Sequence, residues 1–210
     1  MKLILMAIGL FAFSIVNAQK KIGSFKNHTD IGNPAIHGDA SYNKQTKEYL
    51  LKGGGYNIWF KRDEFHYLFN SIKGDCILTA NVKMLGTGKE PHRKIGWMLR
   101  ESLDEDAAHI CAVVHGDGFT VLQWRGEKGS SMRDPEDQIS TPQKNIEQIQ
   151  LERKGNLVIM RVAAAGESLQ ELGRHEMSNL KAELFAGLFI CSHNANNLEE
   201  GMAWNVTITK

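Results

Sequence analysis

"HRKIGWMLRESLDEDAAHICAVVHGDGFTVLQWR", residues 92–125, is the stretch whose reading decides the fold. Three runs in it alternate with the two-residue period of a strand, 94–101, 109–115 and 119–125. "HGDG" at 115–118 joins the last two with the glycines of a tight hairpin. Taken literally, the alternation puts Ile95, Trp97, Leu99, Ile110, Ala112, Val114, Leu122 and Trp124 on one side, the core side. The other side then carries Lys94, Gly96, Met98, Arg100, His109, Cys111, Val113, His115, Phe119, Val121, Gln123 and Arg125. A solvated outer face usually mixes Lys, Glu and Thr. This one gathers cations, imidazoles, an amide and several apolar residues, with few acids.

Outward from this stretch the same period recurs. Strands are expected near 48–52, 56–60, 65–70, 76–85, 147–153, 157–163, 169–176, 184–193 and 203–209, with "IKGD", "GTGKEPH" and "RKGN" as turns. Helix signals are almost absent. A dozen short strands with turns at this spacing make an all-β, two-sheet jelly-roll sandwich of the concanavalin A-like lectin and glucanase type. The polar stretch 126–145, "GEKGSSMRDPEDQISTPQKN", reads as a long loop, either functional or a solvated or poorly formed hairpin.

The ends bound the rest. Met1–Lys2, the apolar run Leu3–Val16 and the small residues before Gln19 form a signal peptide, residues 1–18, cut between Ala18 and Gln19. The apolar run is shorter than the roughly 20 residues of a spanning helix. The chain is therefore expected to be secreted or periplasmic, with no membrane span once the signal is gone. Residues 19–210 suit a single domain. A formal net charge of +1 excludes a bulk field that would draw the chain to nucleic acid. Cys76, Cys111 and Cys191 are odd in number and show no C-x-x-C. They read as buried thiols, with one Cys76–Cys111 or Cys111–Cys191 bridge left open.

The cationic face has two readings. Lys94, Arg100, His115, Gln123 and Arg125 form the polar wall of a ligand site, or Arg100 and Arg125 make structural ion pairs with Glu101 or with Asp63 and Glu64. Gly96 would let a ligand approach the backbone. Trp59, in "NIWFKRDEF", is the surface candidate for stacking on a sugar. His66 and His193 complete the candidate ligand set.

In order and spacing, "GGGYNIWFKRDEFHYLF", "KGDCILTANV", "HRKIGWMLRESLD", "VVHGDGFTVLQWR", "IQLERKGN" and "GLFICSHN" resemble one family. It is a concanavalin A-like domain family of unknown function in secreted bacterial proteins. In some chains it follows a β-propeller labelled "biopolymer transporter Tol". The resemblance runs from about Ile31 to Ile208. It implies a two-sheet jelly roll, an exported location and involvement with glycans, and it offers no catalytic residue to carry over.

Chemistry-bearing patterns are sparse. The E-x-D-x-x-E strand of jelly-roll glucanases does not occur, and "RDEF" and "LDEDAAH" read first as turns. His66, His92, His109, His115, Asp117 and His193 can bind metal, but only H-G-D at 115–117 has a short spacing, and it also suits a turn. No metal and no cofactor is expected. The function expected is binding of glycan or a small polar saccharide on a concave sheet. The alternatives are a sugar-processing enzyme resembling 3-keto-glycoside hydrolases, favoured by convergence of His66, His115 and His193, and an envelope protein-interaction module.

Overall fold

The computed structural model describes residues 21–88, 90–178 and 180–210. The expected signal peptide lies outside the described residues. In chain order the strands are β1 (Asn27–Ile31), β2 (Asp39–Asn43), β3 (Glu48–Gly53), β4 (Ile58–Trp59), β5 (Arg62–Asp63), β6 (Phe65–Lys73), β7 (Cys76–Met84) and β8 (Lys94–Arg100). They continue as β9 (His109–His115), β10 (Thr120–Arg125), β11 (Gln138–Thr141), β12 (Ile146–Lys154), β13 (Leu157–Ala164), β14 (Gln170–Glu176), β15 (Glu183–Cys191) and β16 (Glu199–Thr209). The fold is all-β, as the alternation requires. Among the described residues no helix is long and apolar enough to cross a membrane.

Two seven-stranded antiparallel sheets form the sandwich. One has the order β1-β6-β15-β8-β9-β10-β11, the other β14-β13-β12-β7-β16-β3-β2. β4 and β5 make a separate small hairpin. β8, β9 and β10 pair as consecutive antiparallel neighbours. Strands β1, β2, β5 and β11 go beyond the sequence expectation. β11 lies inside 126–145, so that stretch is not structureless. Its residues 138–141 pair with β10 from Thr120↔Thr141 to Gln123↔Gln138.

The inner faces meet in one core, where Ile95, Trp97, Leu99, Ile110, Ala112, Leu122 and Trp124 pack against Leu78, Ile149, Leu151 and Met160 of the opposite sheet. Every member of the core set read from the alternation is there. All three cysteines are free and buried. Cys76 faces this inner core, while Cys111 and Cys191 face the other side of the first sheet.

That other side is also buried. A second apolar cluster covers it, made of Phe65, Tyr67, Phe69, Met98, Cys111, Val113, Val121 and Phe189 from the sheet together with Ile58 from the β4–β5 hairpin. Residues 54–64 lie across this face. The Ile58 carbonyl accepts from Gln123 Nε2 at 3.2 Å, and the Phe60 carbonyl accepts from Arg125 Nη2 at 3.1 Å and the Met132 amide at 3.0 Å. Gly96 does not open a path for a ligand. A Cβ there would lie 1.9 Å from the Ala112 carbonyl oxygen and 3.2 Å from Phe189 Cε1, so its absence serves strand approach and ring packing.

Candidate functional site

Register arranges the outer face in rows. Cys191, Lys94 and His115 are neighbours in the first row. Gly187, Met98, Cys111, Gln123 and Gln138 fill a middle row. Phe185, Arg100, His109 and Arg125 form the last. Six residues separate Lys94 from Arg100, about 20 Å along a strand at ~3.4 Å per residue. The expected wall is therefore on one face but divided between its two ends.

At the arginine end the two guanidiniums are buried. Arg100 and Arg125 are 0% and 1% exposed and converge on Asp63, itself 0% exposed. Asp63 Oδ2 accepts from Arg100 Nη1 and Arg125 Nη1, and Oδ1 from Arg125 Nη2, each at 2.7 Å. Arg125 also donates to the carbonyls of Ala107 and Ser130. Burial pushes the Asp63 carboxyl up, but His109 and the two guanidiniums outweigh it and hold the pKa below the ordinary carboxylate range. His109 stands between the arginines in register. Burial drives its pKa down to about 3 against the pull of Asp63, and the arginines add to the fall. The ion-pair reading of Arg100 and Arg125 is the one the geometry supports, with Asp63 as the partner. Asp63 and backbone carbonyls already occupy both guanidiniums.

His66 is also placed apart. The alternation that gives Phe65 and Tyr67 to the outer face turns His66 to the other side. There its Nδ1 meets Asp30 Oδ1 at 2.8 Å and its Nε2 meets His28 Nδ1 at 3.2 Å. Convergence of His66 with His115 and His193 does not occur.

At the lysine end a cleft of about 580 Å³ opens. Trp59, Lys94, His115, Gln123 and His193, five of the eight expected site residues, line it. Lys94 and His115, 3% and 6% exposed, form its floor with Gln123. Lys94 Nζ donates to Asn57 Oδ1 at 2.9 Å. Among the described residues neither ring nitrogen of His115 has a hydrogen-bond partner. Burial holds the His115 pKa well below the usual imidazole value, and Lys94, His92 and His193 push the same way. Burial also lowers the Lys94 ammonium pKa. His92 stands edge-on to His115 with ring centroids 5.6 Å apart, and lies 5.4 Å from the His193 ring. His193 Nδ1 is 3.4 Å from Glu90 Oε1. Among the described residues no group of His, Cys, Asp or Glu has the geometry to hold a metal ion.

One further feature went unread in the sequence. Phe60 lines the cleft, is 57% exposed and has φ 52°. A bulky residue in the left-handed region is a strained arrangement that the surroundings must impose. Here its carbonyl is locked by Arg125 and Met132. His193, which also lines the cleft, has φ 55°. The polar stretch 126–145 supplies Asp134, Gln138 and Lys144 to the cleft. Its length was the signal for that; nothing local singled out Phe60 beside Trp59.

No family model matches the chain, and no curated protein matches it. Among solved structures, a functionally unknown protein from Saccharomyces cerevisiae superposes with a TM-score of 0.64 at 12% identity, over 87% of this chain and 95% of that one. The carbohydrate binding module CBM66 from Bacillus subtilis gives 0.52 at 12% identity, over 89% and 98%. A family 7 alginate lyase, A1-II′, gives 0.53 at 6% identity, over 81% and 82%. At these identities the likeness establishes the concanavalin A-like jelly-roll fold.

Proposed function

We propose that this chain binds a saccharide in the cleft bounded by Phe60, Trp59 and His193. The observation that carries the reading is the pairing of an exposed, strained aromatic rim with a floor of buried, under-partnered polar groups. Sugars present both C–H faces, which stack on aromatic rings, and hydroxyls, which satisfy donors and acceptors. Lys94 donates, while a neutral His115 donates from one nitrogen and accepts at the other. Two of the structures that share the fold are, by name, a carbohydrate binding module and an alginate lyase, which is a parallel for sugar binding on such a sandwich. Export through the segment 1–18 would bring the cleft to extracellular or periplasmic glycans.

A glycan array followed by calorimetry tests this. Phe60→Gly removes the ring and relaxes the backbone. It is expected to leave thermal stability equal or higher while weakening the best array ligand at least tenfold. An array with no ligand above background, or a Phe60→Gly protein that binds as tightly as the parent, removes the reading. One observation favours a second reading, a sugar-processing enzyme. The neutral His115 is placed to accept a proton. Its signature is turnover of a bound sugar that vanishes in His115→Gln while binding persists.

A further inference from the structure

We infer that the saccharide held in this cleft carries an acidic group, for which Lys94 supplies the counter-charge; the inference rests on the saccharide reading above. The argument begins with how the molecule treats its other buried cations. Arg93 faces Glu199 at 2.6 Å, and Arg100 and Arg125 face Asp63 at 2.7 Å. Arg153 donates to the carbonyls of Gly155, Lys181 and Ala182. Lys94 is buried to the same degree. Yet among the described residues its ammonium, with three protons to donate, has one neutral acceptor, Asn57 Oδ1. No carboxylate of the described residues comes within salt-bridge distance of it.

A buried ammonium without an opposite charge is costly, because its hydration is lost and nothing replaces it. The acids that share the cleft do not fill the gap. Asp117 is exposed and accepts the Phe119 amide at 2.9 Å, and Asp134 is exposed and accepts Gln138 Nε2 at 2.5 Å. Rim carboxylates in water are screened, whereas the floor is not. Beside Lys94 in the same row stands His115, which has no hydrogen-bond partner among the described residues and, when neutral, carries one N–H that can donate to a second oxygen of an anion. Lys144 adds a cation at the rim. The lowered Lys94 pKa agrees with a cation that lacks its partner. The cleft is far larger than a free inorganic anion needs and its rim is aromatic, so the anion belongs to a larger, partly apolar body. A lysine is a point charge and does not select between carboxylate and sulfate. The shared chemistry is an anionic sugar.

The test uses the full chain and pairs of ligands that differ only in charge. Each of several oligouronates is titrated against its own carboxyl-reduced form, and a sulfated oligosaccharide against its desulfated form. In at least one pair the acidic member should bind tenfold or more tightly. Lys94→Met should bring that ratio close to one by weakening the acidic member far more than the neutral member. Asn57→Asp places the missing carboxylate beside Lys94. It should raise the melting temperature and abolish the preference, and it guards against a Lys94→Met protein that fails to fold. Equal affinity within every pair overturns the acidic ligand and leaves saccharide binding standing. A preference that survives both Lys94→Met and Asn57→Asp also overturns it. Failure to bind any saccharide, charged or neutral, removes both readings together.

Discussion

At His109 the imidazole is enclosed between two guanidiniums and a carboxylate, with no contact to water. The consequence is a stability that depends on acid. In the folded chain the ring stays neutral down to about pH 3, whereas in the unfolded chain it takes a proton near its ordinary value of 6.5. Between these values the unfolded state binds more protons, so stability falls as pH falls. Each pH unit inside the window is worth up to about 1.4 kcal/mol. Urea melts should therefore show a loss of about 2–3 kcal/mol between pH 6.5 and 4.5. His115 is lowered in the same direction and adds to it. His109→Gln should make the profile shallower. A stability that stays flat from pH 7 to 4.5 would mean that His109 is not held neutral. Asp63 acts in a separate, lower window. Its depressed pKa contributes stability that persists above the ordinary carboxylate range and disappears only below it.

In the β8–β9 pair the residue with no room for a side chain is Gly96. Opposite it in register is Val113, and the Ala112 carbonyl oxygen occupies the space a Cβ would take. A side chain there cannot be accommodated by a rotamer change, because the obstacle is backbone. Gly96→Ala should cost about 3 kcal/mol, the upper range for overpacking. The measurement is the denaturant midpoint of the variant against the parent. A loss below about 0.5 kcal/mol would show that the strands separate freely at this point. The hairpin β4–β5 illustrates a different dependence. It has two residues per strand and is fixed by bonds from Gln123, Arg125 and Met132, which belong to or follow β10. Such an element has little stability of its own. Its position, and that of Phe60 at its tip, comes from the sheet beneath it.

The two large sheets share one continuous inner core, in which Trp97 is fully buried and Trp124 nearly so. A molecule built this way should unfold in one cooperative step. Near- and far-ultraviolet circular dichroism are expected to give coincident denaturation curves. Trp97→Ala should move both together by about 3–5 kcal/mol, as removal of a large core side chain does. Two separate transitions would show instead that the outer cluster, with the 54–64 segment and its ion pairs, unfolds as a unit of its own.

The sequence by itself determined most of the strands, the hairpins through 92–125 and which side chains share a face. These are local properties. A two-residue period over six or seven residues sends Trp97 and Lys94 to opposite sides whatever the rest of the chain does. It also placed Lys94, His115 and Gln123 together with Arg100 and Arg125 on the outer side. What that side faces was decided only by the tertiary structure. Asp63 reaches Arg100 across 37 residues of chain and Arg125 across 62, and no periodicity encodes a contact of that separation. The segment 54–64 that brings it also covers the sheet, turns the two arginines into structure, lifts Phe60 over the cleft and sets the Asn57 amide beside Lys94. Alternation fixes the direction in which a side chain points. Whether it meets water, a carboxylate or a ligand depends on distant chain packed over it.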